Sequence, residues 1–501
     1  LSLQVGITHD ESHSNFVWEL NKNKLANFFL NKNYDISDLD TAHGYYGIGF
    51  YLLSTPLEFI FIKIFNFNEI NIDGKNLLIK HPSVFIFFII GGIYLKKIIF
   101  FSTKSNFFSN LAAISFLTYP YLLGHSFFNI KDIPFMSIWI VCTYFLIKIL
   151  NEYFINSKIK LKTLIFFALF TSYLLSLRIS GILIFIEYLI FLIFFINIFN
   201  IKLFNFIKKA FSDLLIFILI FSISLYIFYP SFWSDPLKFL DAIKFMSQHV
   251  QTVCTITLGE CMKAQNLPSS YLFIWLFFKL PIFILIGLSL FPLLEKKIFD
   301  QKQNKLILAP LIVSVFTIIF LLIFFEVHLY DELRQVIFLI PLIFIISLLI
   351  IFNLKKNIGI YIISLSVIFF IFQNIKIFPY NYIWLNNFTN FINISKNFEL
   401  DYWGVSTKKI ANFLNSEKLD EATCVISNRN NGIEYFMRNQ ENCFKNFKNL
   451  HKKNKRPFYV ALSERSINKG IPNNCNLVFE DQLKINFSKE NLVLAKVFKC
   501  T

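Results

Sequence analysis

The sequence predicts an all-α polytopic membrane bundle with a small C-terminal extracytoplasmic α/β domain. Composition, recurrent apolar runs and a change of character after Pro379 predict it. Of 501 residues, 55% are hydrophobic, 19% aromatic and only 16% charged, with a mean hydropathy of +0.56. That is too apolar and too poor in charge for one soluble domain of this length. The solvent is therefore the bilayer, and the chain reads as a multi-pass protein of the inner (plasma) membrane. The formal net charge of +16 does not point to nucleic acid, because the lysines fall mainly in short loops between apolar segments. Retention of those loops on the cytoplasmic side accounts for them.

Runs long enough to cross the hydrocarbon core, about 20 residues each, recur near 82–100, 107–124, 133–150, 163–178, 181–200, 213–230, 270–294, 306–325, 336–353 and 358–378. Every second loop is basic. Lys96, Lys97 and Lys104 follow the first run, Lys158, Lys160 and Lys162 the third, and Lys202, Lys208 and Lys209 the fifth. Glu295 to Lys305 and Lys355-Lys356 continue the alternation, so these loops are expected inside. Loops 1–81, 125–132, 231–269, 326–335 and the chain beyond about 379 are then expected outside. The apolar segment 45–65 carries Pro56, Glu58 and Lys63, which suits an interfacial helix better than a full crossing. The chain begins at Leu1, and a further transmembrane helix is expected ahead of it, making about eleven spans in all.

After Pro379 the composition turns to Asn, Lys, Glu and Asp, with β-type runs at Thr423–Ser427, Phe458–Leu462 and Leu492–Phe498. The expected organisation is a transmembrane catalytic module over 1–378 and an α/β domain over 379–501. Six of the seven cysteines, Cys254, Cys261, Cys424, Cys443, Cys475 and Cys500, fall in regions that charge alone places outside; Cys142 lies in a span. Disulfides persist in oxidising compartments, so pairing is consistent with that placement, although spacing does not give the connectivity.

Ionisable residues gather on the outer face. Thr8-His9-Asp10-Glu11-Ser12-His13 sets two carboxylates between two histidines. One local reading has Asp10 capping a helix that starts at Glu11; another makes a divalent-metal site of His9, Asp10 and His13. Gly124 to Phe135 holds Lys131 and Asp132 in a very short outer loop, with Asp132 opening a helix whose first turn contains Pro134. Neutralisation of Asp132 by Lys131 is the alternative reading of this pair. Arg334, in Tyr330-Asp331-Glu332-Leu333-Arg334-Gln335, is a candidate phosphate ligand because guanidinium forks match phosphate; pairing with Asp331 or Glu332 is the alternative. Arg178, at the outer end of its span, and His13 are further candidates to touch substrate. Glu187 lies within a span, where a carboxylate is costly; it reads as a protonated or hydrogen-bonded acid or as a proton-relay group.

These residues, in this order, resemble GT-C glycosyltransferases of the protein-O-mannosyltransferase and aminoarabinose-transferase type (glycosyltransferase family 39-like). Asp10-Glu11 is similar to the acidic pair of that family's first outer loop, 45–65 to its juxtamembrane helices, Gly124 to Phe135 to its second outer loop, and Tyr330 to Pro341 to its arginine-containing stretch. Asp401-Tyr402-Trp403-Gly404-Val405-Ser406 resembles a motif after the last span of bacterial members. The resemblance implies a polyprenyl-phosphate-linked sugar donor and inverting transfer to an acceptor hydroxyl on protein, lipid or glycan. It implies Asp10 as general base, with Glu11 and Asp132 as supporting acidic positions. The sequence identifies no definite cofactor, and a divalent metal is an option. The competing classes are a transporter or lipid-carrier flippase, which would use polar groups at mid-membrane depth, and a membrane-anchored binding protein acting through its tail.

Overall fold

The protein is described by a computed structural model over residues 2–65, 72–249, 252–354, 356–417, 419, 423–428, 430–437, 443–447, 458–463, 470–471, 473–486 and 490–500. Among these residues six helices are long and apolar enough to cross a membrane: Asn76–Thr103, Asp132–Asn156, Ile179–Ile198, Phe206–Phe228, Asn304–Phe324 and Asn357–Ile377. The other four expected runs are helical but depart from a single long span. Leu161–Leu177 and Leu339–Phe352 are shorter apolar helices. The run near 107–124 breaks at Tyr119 into Asn106–Thr118 and Pro120–His125, since a proline can open a helix but not continue one. Ser270–Lys279 and Ile282–Ser289 meet at a bend of 117°, where Pro281 holds Leu280 in extended backbone.

Asp132–Asn156 is the axis of the bundle, with 89% of its apolar window buried, whereas Phe206–Phe228 is 6% buried. The latter presents Phe211, Leu214, Leu215 and Ile218 outward, a surface suited to lipid. Within the bundle Glu187 accepts hydrogen bonds from Trp139 Nε1 at 2.7 Å and Thr143 Oγ1 at 2.6 Å. It is a satisfied interhelical group, which is how a carboxylate is accommodated at that depth. Segment 45–65 yields a separate helix, Gly49–Phe65, with Pro56 inside it.

Two pieces of β-structure lie beyond the bundle. The loop after Ser247 folds into a hairpin of β1 (Cys254–Thr257) and β2 (Glu260–Lys263), closed by the Cys254–Cys261 disulfide. The C-terminal sheet contains β3 (Cys424–Ser427), β4 (Cys443–Asn446), β5 (Phe458–Ser463), β6 (Cys475–Leu483) and β7 (Leu492–Cys500) in the order β4-β3-β5-β7-β6. β3 runs parallel to β4 and β5, and β7 antiparallel to β5 and β6. The three strands expected from sequence, β3, β5 and β7, are the inner ones. The two edges, β4 and β6, need cover only one side and carry too few apolar residues to stand out. Each edge is tied to its neighbour at directly paired positions, by Cys424–Cys443 and Cys475–Cys500.

Bundle and C-terminal region meet at Gly124, where an added Cβ would fall 2.1 Å from the backbone nitrogen of Tyr382. Only glycine permits that approach. Single cysteines replacing Gln301, exposed just ahead of the Asn304–Phe324 span, and Ser416, exposed in the C-terminal region, are expected to react with an impermeant maleimide from opposite faces of a sealed membrane. Labelling of both from one face would contradict this arrangement.

Candidate functional site

The first turn of helix His9–Leu30 fixes the N-terminal acidic pair. Thr8 is extended just ahead of it, and Glu11 reaches back so that one carboxylate oxygen accepts the Thr8 backbone N–H at 2.8 Å and its hydroxyl at 2.7 Å. That is the acidic half of a capping box. The other Glu11 oxygen lies 3.2 Å from His81 Nε2. The helix therefore begins at His9 rather than Glu11, and Glu11 rather than Asp10 serves its end. Asp10, relieved of capping, keeps a side chain 31% exposed and meets Arg334 Nη2 at 2.5 Å.

Arg334 is presented by an unusual backbone. Asp331 and Glu332 are both left-handed, with φ of 54° and 65°, a conformation that non-glycine residues adopt at a cost. Two contacts hold it: the Asp331 N–H donates to Thr255 Oγ1 on β1 at 2.9 Å, and Glu332 pairs with buried Lys279 at 2.7 Å. Burial pushes the Glu332 carboxyl up to about 7, with Lys279 pulling it back. The Arg334 guanidinium donates from Nη1 to Asp331 at 2.8 Å, and its Nε stands 3.7 Å from Asp132. Its plane lies 4.4 Å from the Trp403 ring centroid. Burial works against its charge, but Asp10 and its other anionic neighbours outweigh that and raise its pKa. The fork expected to receive phosphate is thus occupied by carboxylates.

Asp132 opens its helix as expected and is 2% exposed. It is neutralised by Arg178 across a short ion pair rather than by Lys131. Asn129, three residues earlier, clamps it from both ends. The Asn129 amide donates to Asp132 Oδ2 at 3.0 Å while its carbonyl accepts the Asp132 N–H at 2.9 Å. Lys131 is left over the ring of Tyr46, 4.8 Å from its centroid. Burial, opposed by Asp10 but reinforced by Arg334 and Arg178, pushes its ammonium down to about 8. His13 packs against His43 and Tyr46 at centroid distances of 5.3 and 4.9 Å. Burial, then Lys131, pushes it down to about 4, so it is neutral at physiological pH.

The C-terminal region closes the site. Asp401 accepts the Val405 and Ser406 N–H groups at 2.9 and 3.2 Å and the Tyr382 hydroxyl. Gly404, at φ 72°, completes the turn that carries Tyr402 and Trp403. Burial pushes the Asp401 carboxyl up to about 6, its hydrogen bonds opposing the shift. Pairing of Ile256 on β1 with Glu399 then holds this turn to the same hairpin that supports Asp331. Asp10, Lys131, Asp132, Arg334 and Trp403 line a cavity of about 10 Å³, room for about one water.

The structure thus brings together Asp10, Lys131, Asp132, Arg178 and Arg334, places His13 one helical turn along, and turns Glu11 back toward Thr8 and His81. Among the described residues no group of three or more His, Cys, Asp or Glu side chains is arranged to hold a metal; the His9 side chain lies outside them. The sequence assigns no individual role to Asn129 or Thr255, and it marks Trp403 only within the stretch Asp401 to Ser406. Asn129 had a usable cue, an amide three residues before a helix-opening aspartate. Thr255 had none, since only tertiary packing brings it to Asp331; Trp403 stands in a recognisable stretch, but only packing brings it to Arg334.

No protein-family model matches the chain, and no curated protein matches it. Among solved structures the chain is similar to ArnT from Cupriavidus metallidurans bound to undecaprenyl phosphate, at 9% identity and a TM-score of 0.47 over 89% of this chain and 87% of that one. Against the apo form of that protein the values are 10% and 0.46 over 90% and 87%.

Replacing Asp132 by Asn leaves Arg178 without its carboxylate in a mostly buried setting and is expected to cost about 3 kcal/mol. Asp10→Asn should cost less, because the Asp10 carboxylate is 31% exposed and Arg334 keeps Asp331 as its partner. Thermal unfolding of the two variants in detergent checks the ranking, and equal midpoints would refute it.

Proposed function

We propose that this protein is a glycosyltransferase that moves a sugar from a polyprenyl-phosphate donor to an acceptor hydroxyl on the extracytoplasmic face. The observation that carries the reading is the pairing of unlike roles in one small site. Asp10 is a partly accessible carboxylate oriented by Arg334, and nearby Lys131 makes no ion pair among the described residues, its ammonium resting on Tyr46. A base and an uncommitted cation, at the end of a buried helix in a bundle with lipid-facing walls, suit a reaction between a hydroxyl and a lipid phosphate. The order of sequence motifs supports the same class.

In the reaction Asp10 takes the proton of the acceptor hydroxyl as its oxygen attacks the anomeric carbon. The bond from that carbon to the phosphate oxygen breaks on the opposite face, with inversion, and the lipid phosphate leaves with the electron pair. Lys131 meets the charge that develops on the phosphate. Arg334, whose Nη atoms are committed to Asp331 and Asp10, holds the base in position rather than receiving the leaving group. Asp132 anchors Arg178 and faces Arg334 Nε. A transporter would draw on a polar group within the membrane, and Glu187, bound to Trp139 and Thr143, is spoken for by its own bundle.

Transfer from radiolabelled polyprenyl-phosphate sugars across a panel of protein, lipid and glycan acceptors tests the reading. Asp10→Asn should lower kcat about a hundredfold or more, the usual worth of a general base, with donor KM largely kept. Wild-type turnover by Asp10→Asn would remove the assignment.

Lys131 supplies a pH signature. Its ammonium deprotonates as pH rises through about 8, so affinity for the anionic donor should weaken above that pH. Lys131→Arg, which stays protonated, should move this alkaline limb upward. A limb that does not move assigns it to another group.

A further inference from the structure

Two buried donors at the centre of the site have no acceptor. The Trp403 side chain lies in a residue only 4% exposed, and among the described residues its indole Nε1 makes no hydrogen bond; the same is true of Arg334 Nε. An unmade hydrogen bond on a buried N–H costs on the order of 1–3 kcal/mol, so two on residues that line one small cavity call for an explanation. Both residues line that cavity, together with the carboxylate-bearing Asp10, Glu11 and Asp132 and with Lys131. Its volume of about 10 Å³ admits a single oxygen atom.

The lining selects the kind of oxygen. Donors alone would suit an anion, but Asp132 Oδ2 is only 3.7 Å from Arg334 Nε, and Asp10 lines the same cavity. A phosphate oxygen, charged and able only to accept, would face two carboxylates there. A hydroxyl both accepts and donates: it takes the N–H groups of Trp403 and Arg334 and gives its own proton to a carboxylate. A water does the same when no substrate is bound, and is displaced by an equivalent group at little loss.

We propose that Trp403 Nε1 and Arg334 Nε, with the carboxylates of Asp10 and Asp132, form a subsite for one substrate hydroxyl, so that the C-terminal region reads the substrate directly. The inference rests on the glycosyltransferase reading. The hydroxyl belongs either to the acceptor or to the sugar of the donor, and the two sources separate by which Michaelis constant responds.

Trp403→Phe keeps an aromatic face beneath Arg334 but deletes the N–H, whereas Trp403→Leu deletes both. With polyprenyl-phosphate sugars as donors and the acceptor panel, Trp403→Phe is expected to raise one KM about tenfold, as for one lost hydrogen bond in a buried site, with kcat changed less than about threefold. A raised acceptor KM places the acceptor hydroxyl in the subsite; a raised donor KM places a sugar hydroxyl there. Deoxy analogues provide a test on the unaltered protein: removing the hydroxyl in question should weaken wild-type binding by a similar factor and Trp403→Phe binding hardly at all. If Trp403→Phe matches wild type in both constants while Trp403→Leu is impaired, Trp403 is only a platform for Arg334 and the subsite is refuted, with the reaction class intact. If the wild-type protein transfers from no polyprenyl-phosphate sugar, the reaction class fails and the subsite with it.

Discussion

The guanidinium of Arg334 is the point through which four distant stretches of chain communicate. It touches Asp10 from the first helix, faces Asp132 from the central helix, folds back on Asp331 beside it, and lies on Trp403 from the C-terminal region. Such an arrangement is stable only while charge is matched, because an unpaired ion in this setting costs several kcal/mol. Remove the cation and three carboxylates confront one another with Arg178 and Lys131 as the remaining nearby cations. The strained backbone at Asp331 and Glu332 is accepted because it brings the guanidinium to this crossing.

Support for that crossing comes from groups that take no part in chemistry. The β1–β2 hairpin supplies Thr255 to the Asp331 backbone and strand pairing to Glu399, so a single disulfide-closed element aligns both loops that flank the arginine. Asn129 sets the height of Asp132. Glu11 and Thr8 fix the helix start from which Asp10 projects. Positional accuracy in a site of this kind depends on such supporting contacts as much as on the charged groups themselves.

Much of this was legible in the sequence because the membrane imposes coarse, periodic demands. Apolar run length located all ten helical runs, and the alternation of lysines separated the loops into two sets. What run length does not report is geometry within a run: the break at Tyr119-Pro120 and the 117° bend at Pro281 follow from single prolines whose tertiary setting decides between kink and break. Asp10, Lys131, Asp132, Arg178 and Arg334 were each recognisable as ionisable groups at a boundary, but pairing among them was not, since an ion pair is chosen by distance rather than by order. Hence sequence order offers Lys131 as one partner for its neighbour Asp132, and leaves Arg334 open either to an anion or to Asp331 or Glu332. The edge strands β4 and β6 escaped notice for a comparable reason: a strand covered on one side leaves little hydrophobic pattern.

The span of these contacts bears on how the molecule comes into being. Asp10 and Arg334 are 324 positions apart, and Trp403 enters later still. During synthesis Asp10 is made long before Arg334, and their pair cannot form until most of the transmembrane segments have been made. Contacts of such long range form late, after the entropy of closing the intervening chain has been met. The site is therefore a product of the finished fold, and a chain truncated before Trp403 would lack the ring on which Arg334 rests.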